Sequence, residues 1–122
     1  MSAANGTKGL RGRILAAEVK RTMFKVAGWD QEVEMRPMSV AQKTSLAIDD
    51  EEKPSNEEAT MILPKAVMFT VHDPESGEPV FTEDDLSWLV DQPANVIEDI
   101  AEQAFKISGV GGEAFEEAKK GS

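Results

Sequence analysis

The sequence predicts a mixed α+β fold, mainly α, with an N-terminal β-hairpin followed by a small bundle of four or five short helices. Three observations lead to this prediction. Two stretches of alternating apolar and polar residues flank a glycine-containing turn, which is typical of a hairpin with one buried face. Helix-start signals then recur along the chain. Near the C-terminal end, apolar residues repeat at three- and four-residue steps, the spacing of an amphipathic helix.

The domain organisation follows from length and local composition. The 122 residues fit a single domain. Residues 1–9 are small and polar, and we expect them to form a flexible tail ahead of a domain at residues 10–120. An acidic run near residues 49–55 includes Pro54 and interrupts the helical pattern, which predicts an exposed linker.

The first elements should be a short helix and the hairpin. Leu10–Ala17 has its apolar residues on one side of a helix. Period-two alternation then predicts one strand through Val26 and a second from Gln31, which Pro37 ends because proline has no N–H for a ladder. The turn between the strands contains Gly28, a residue able to adopt a positive φ.

Two capping boxes predict the next helices. Ser39 and Gln42 can satisfy each other's free backbone N–H groups, which indicates a helix over Val40–Ile48 with Val40 on its inner face. The same pattern at Ser55-Asn56-Glu57-Glu58 starts a second helix near Asn56.

The course of that second helix is open in the sequence. Pro64 either kinks or ends it, since proline costs about 3 kcal/mol in a helix interior. The apolar, β-branched stretch Val67–Val71 either continues the helix or forms a strand, because periodicity alone cannot separate the two.

The C-terminal half should be helical after one long turn. Asp-Pro, Gly and Pro within His72–Pro79 predict that turn, and Thr82 then caps a helix with acidic residues in its first turn. The core-facing residues expected in this half are Leu86, Leu89, Val90, Val96, Ile97, Ile100, Ala101, Ala104, Phe105 and Ile107. Gly109 should end the long helix, and Glu113–Lys120 should form a short, exposed last one.

The amino-acid composition limits which catalytic and metal-binding sites the chain can form. The chain has one histidine, no cysteine and no tyrosine, which excludes a disulfide framework and thiolate zinc sites and leaves little for acid–base catalysis. We therefore expect a binding protein rather than an enzyme, with no catalytic, cofactor-binding or metal-binding residues. No apolar run approaches the roughly 20 residues of a membrane-spanning helix, and no secretory signal is evident.

Three acidic constellations have a plain structural interpretation. Asp73 and Glu75 beside His72 suit a polar turn, and the acids at Glu83–Asp85 suit a helix first turn. The run Asp49–Glu52 suits a solubilising loop. We prefer these interpretations to an acid–base or cation site.

Charge is unevenly distributed along the chain. The net charge is −10, yet residues 1–26 carry +5, so the remaining residues carry −15. Such an acidic body argues against a nucleic acid partner. The basic N-terminus is either a solvated arm or a contact for an acidic partner; if that partner is the acidic body of a neighbouring copy, the contact is self-association.

Apolar residues are the candidate partner-binding residues. Six methionines and two tryptophans are many for this length, and methionine-rich surfaces adapt to varied partners. The candidate partner-binding residues are Met61, Met68, Phe69, Trp88 and Phe105. For each of them, a place in the core is the alternative to a partly exposed groove.

The order of these features resembles the tail assembly chaperones of long-tailed bacteriophages. The resemblance spans roughly residues 10–120 and is carried by Ile14-Leu15-Ala16-Ala17, the strand before Gly28-Trp29, Val33 to Ser39, Val71 to Asp84, and the helix to Phe105 with Ser108-Gly109. The extended basic start departs from the family pattern.

The resemblance implies a function. Such chaperones bind the long, aggregation-prone tape-measure protein and help bring tail-tube subunits to it in the host cytoplasm, and they are not retained in the mature virion. The family has no catalytic residues. The alternatives are a minor structural tail or head–tail connector protein that stays in the virion, and a small regulatory module that binds one host protein through its acidic face.

Overall fold

The computed structural model describes residues 9–46 and 56–120 and confirms the mixed, mainly helical fold with its N-terminal strand pair. The elements are α1 (Gly9–Ala16), β1 (Thr22–Val26), β2 (Gln31–Met35), α2 (Val40–Ser45), α3 (Asn56–Thr70), β3 (Val71–His72), a 3-10 turn (Glu83–Asp85), α4 (Leu86–Val90), α5 (Ala94–Ile107) and α6 (Gly112–Lys120). Residues 1–8 of the predicted tail and the predicted linker at 49–55 lie outside the described residues.

The hairpin has the predicted strands and gains a third one. β1 and β2 are antiparallel, with Thr22 opposite Met35 and Val26 opposite Gln31. β3 pairs with the other edge of β2, so the strand order is β1-β2-β3. One expectation about the turn is wrong: the positive φ, 51°, belongs to Asp30 rather than to Gly28. Gly28 is instead needed for space, because a Cβ there would overlap the side chain of Val96 in α5.

Helix α3 resolves both open questions about its course. Pro64 is buried inside the helix, which continues to Thr70 before the chain enters β3 at Val71. The cost of the proline is offset by burial of the apolar residues around it, Ile62, Leu63, Ala66 and Val67. The junction is held by the Arg36 N–H, which donates to the Thr70 carbonyl at 3.0 Å.

Helix α5 lies at the centre of the core. Val96, Ile97, Ile100, Ala101, Ala104 and Phe105 are all buried, as the spacing predicts. The helix ends at Ile107; Gly109 follows the C-cap Ser108 with a φ of 74°, and the Val110 N–H donates to the Phe105 carbonyl at 2.9 Å. This is the hydrogen-bond pattern of a Schellman motif, so Gly109 closes the helix as expected.

Two predictions about shorter helices need correction. Helix α6 is not simply exposed: Phe115 and Ala118 are buried, and the Phe115 ring packs edge-on against Phe105 with 5.6 Å between ring centroids. In α2 the capping box between Ser39 and Gln42 is present. Val40, however, is 85% exposed, because α2 is a short helix whose buried contact is its C-cap, Leu46.

Candidate functional site

Three aromatic side chains from separate parts of the chain meet on one side of the molecule. Trp29 comes from the hairpin turn, Phe81 from the loop before the 3-10 turn, and Trp88 from α4. Their ring centroids lie 5.8 to 6.0 Å apart, a separation at which aromatic pairs attract each other by about 0.5–1.5 kcal/mol. We call these three residues the aromatic surface. Trp88 is 49% exposed, so the cluster presents an indole to solvent.

Local hydrogen bonds position the first of these rings. In the turn, the Trp29 N–H donates to the Val26 carbonyl at 3.1 Å. Gly28 lets the turn approach Val96 closely, so the indole of Trp29 is held against the helical core rather than standing free. The Trp29 Nε1–H is buried, and the described residues offer it no acceptor.

The other two rings depend on the loop after β3 and on α4. Asp73 organises the loop: its carboxylate accepts from the Glu75 N–H at 2.7 Å, and its backbone N–H donates to the Glu78 carbonyl at 2.8 Å. The Asp85 carboxylate then accepts from the Thr82 N–H at 2.8 Å, which fixes the chain just after Phe81. Trp88 is set by α4, which buries the adjacent Leu89 in the core.

A groove of about 420 Å³ adjoins the aromatic surface. Its apolar lining includes Trp29, Val33, Val71, Val80 and Phe81, and its acidic lining consists of Glu32, Asp73 and Glu75. The three acids are exposed, and so is Val80. We call this feature the acidic groove. Its chemistry suits an apolar chain segment that carries positive charges at its edges.

A smaller apolar pocket of about 130 Å³ lies where α3, α4 and α5 meet, with Leu63, Pro64, Leu89 and Ile97 among its lining residues. It does not include the aromatic surface.

The partner-binding candidates predicted from the sequence differ in location and exposure. Trp88 lies in the aromatic surface, while Met61 and Phe69 are half-buried on α3. Met68 and Phe105 lie in the core, 6% and 1% exposed, so this structure offers a partner almost no surface on either. Helical spacing placed Phe105 on the apolar face of α5, and that face is the one that packs.

Sequence reasoning missed Trp29, Phe81 and Val80. A local signal was present, since an aromatic residue in a turn and an apolar pair just after a Pro- and Gly-rich loop are unusual places for large apolar side chains. The contact of Trp29 and Phe81 with Trp88 depends on tertiary packing, which no local pattern encodes.

His72, Asp73 and Glu75, at the end of β3 and the start of the next loop, do not form an acid–base site. The His72 Nδ1 lies 2.9 Å from the Thr70 carbonyl, whereas the Asp73 carboxylate is engaged by backbone N–H groups of its own turn. Within residues 9–46 and 56–120, no group of three or more potential metal ligands comes together.

One buried charge was also missed. Glu34 on β2 is 5% exposed, and its carboxylate pairs with the guanidinium of Arg36 and lies 3.7 Å from that of Arg21. This arrangement fixes the end of β2 and the start of β1.

Comparisons with known proteins add no relative: no family model, curated protein or solved structure matches the chain. In the described part of the chain, no helix has the length and apolar character needed to cross a membrane.

Proposed function

We propose that this protein is a tail assembly chaperone of a long-tailed bacteriophage, which binds the tape-measure protein and helps recruit tail-tube subunits in the host cytoplasm. It works by binding an apolar protein segment rather than by catalysis, and it is absent from the mature virion. The observation that carries the proposal is the aromatic surface, where half-exposed Trp88 lies against Trp29 and Phe81. The order of sequence features described above supports the family.

The aromatic surface has the properties of an interaction hot spot. Tryptophan is enriched among residues that dominate binding energy, because it buries a large area at a small cost in conformational entropy. Trp88 is already held by two neighbouring rings, so binding would order little further. Residues outside 1–26 carry −15, and this charge would keep complexes with an aggregation-prone client apart.

Co-expression tests the proposal. The tape-measure protein from the same genome is expressed alone, with this chain, and with the Trp88→Ala variant. We expect this chain to raise the soluble fraction of the tape-measure protein and Trp88→Ala to lose most of that gain, because the exposed indole is the anchor. Val40→Ala is the matched control, since Val40 is exposed and lies outside the aromatic surface; it should retain the gain.

Two results would count against the proposal. A tape-measure protein that is equally insoluble with and without this chain removes the chaperone function. Mass spectrometry of purified virions adds a second check, because stoichiometric amounts of this chain in mature particles would instead indicate a structural tail or connector subunit. Thermal unfolding of Trp88→Ala confirms that a lost effect does not come from a lost fold.

A further inference from the structure

We propose that the N-terminal arm of one copy, residues 9–21, docks into the acidic groove of a second copy, and that two copies exchange arms to form a closed dimer. This inference concerns self-association and does not depend on the tape-measure protein.

Among the described residues, nothing covers the large apolar side chains of the arm's helix, α1. In α1, which the structure describes in full, Gly12 is the one buried residue. Leu10, Ile14 and Leu15 are 66%, 61% and 66% exposed. A helix of eight residues is shorter than the roughly 12–15 that even good helix formers need in water, and Gly12 within it weakens it further. A stable α1 therefore requires a surface that packs against it.

The acidic groove supplies a surface of matching chemistry. The arm carries Arg11, Arg13 and Lys20 beside its exposed apolar residues, with Glu18 as its one acid. The groove has an apolar lining of valines and aromatic rings and three exposed acids, Glu32, Asp73 and Glu75. Apolar contact would give the pair affinity, and the opposite charges would give it orientation and a faster encounter.

The arm and the groove belong to different strands of the sheet. The arm enters β1, an edge strand in the order β1-β2-β3, whereas the groove is lined by β2, β3 and the loop that follows β3. At the base of the arm, Arg21 lies 3.7 Å from the carboxylate of Glu34. In this structure the large apolar residues of the arm are exposed, and no arm residue lines the groove of its own chain. Docking of each arm into the groove of the other copy closes the pair by a twofold axis.

Sedimentation velocity with the full chain tests the dimer. We expect a concentration-dependent shift from monomer to dimer that weakens as salt shortens the Debye length from about 10 Å at 0.1 M to about 3 Å at 1 M. Arg11→Glu with Arg13→Glu should weaken dimerisation about tenfold or more, because like charges then face each other. Glu32→Lys with Glu75→Lys should do the same from the groove side; Asp73 is left in place because it organises the loop.

The matched control is Glu102→Lys with Glu113→Lys. Both residues are exposed acids outside the groove, and the double substitution changes the net charge by the same amount as the groove variant. It should leave the dimer intact, and thermal unfolding should show that all three variants are folded.

Mixing the two non-dimerising variants gives the decisive result. The acidic arm of one should dock into the basic groove of the other, and the unchanged arm and groove should pair in return, so the mixture should regain the dimer mass. A monomeric wild-type chain at every concentration overturns the proposal, as does a dimer that survives arm reversal or a mixture that stays monomeric. A monomeric wild-type chain that still solubilises the tape-measure protein would refute this inference alone and leave the proposed function standing.

Discussion

Helices α5 and α1 both contain large apolar residues, yet these residues end in opposite environments. The apolar face of α5 is buried between α3 and α6, whereas the three large apolar residues of α1 are exposed. Large apolar residues in a helix are thus buried only where another part of the protein supplies a surface for them. For α5 that surface is inside the molecule; for α1 we infer that a second copy provides it.

The largest difference in stability should appear when one large apolar side chain is truncated in each of the two helices. Phe105→Ala in α5 should destabilise the fold by about 3–5 kcal/mol, because it leaves a cavity next to Phe115. Leu10→Ala in α1 should change stability by no more than about 0.5 kcal/mol, as expected at an exposed site. Urea unfolding in high salt, where the arm is undocked, measures both. Similar losses for the two variants would show that α1 packs within its own chain.

A smaller difference in stability should appear when a buried ion pair of the sheet and an exposed one are each broken. Glu34→Ala leaves Arg36 unpaired in a largely buried site, and should cost about 2–4 kcal/mol. Lys25→Ala breaks the exposed pair with Asp30 at 3.3 Å and should cost at most about 1 kcal/mol. Denaturation midpoints of the two variants give the comparison, and a Glu34 variant as stable as the Lys25 variant would show that the buried Glu34–Arg36 pair does not stabilise the sheet.

The smallest effect should arise where the hairpin turn meets α5. Gly28→Ala places a methyl group against the buried Val96 side chain and should destabilise by about 1–3 kcal/mol through overpacking. Gly111→Ala is the control, since its added methyl group meets open space and should shift stability by no more than about 0.5 kcal/mol. Thermal unfolding distinguishes them, and equal melting temperatures would mean that the turn moves away from α5 at little cost.

The parts of the fold that local rules govern were predictable. Alternation defined β1 and β2, the capping box at Ser39 defined the start of α2, and three- and four-residue spacing defined the buried face of α5. The errors occurred where distant packing decides. Val40 fits a helical inner face, but no element covers it in the described chain.

The candidate site was predictable only in part, for the same reason. Trp88 was identified as a partner-binding candidate, but its neighbours Trp29 and Phe81 were not, because 59 positions separate Trp88 from Trp29 along the chain. Met68 and Phe105 show the converse: their apolar character marked them equally for a groove or for the core, and packing placed them in the core.

The composition of the aromatic surface also makes it an intrinsic optical probe. The chain has two tryptophans and no tyrosine, and both tryptophans, Trp29 and Trp88, belong to that surface. Ultraviolet emission excited at the indole band therefore originates at the surface itself. Binding can therefore be followed without a dye, as a shift in emission wavelength when a partner is added to this protein. The partner is either an unlabelled client or a copy of this chain with Trp29→Phe and Trp88→Phe.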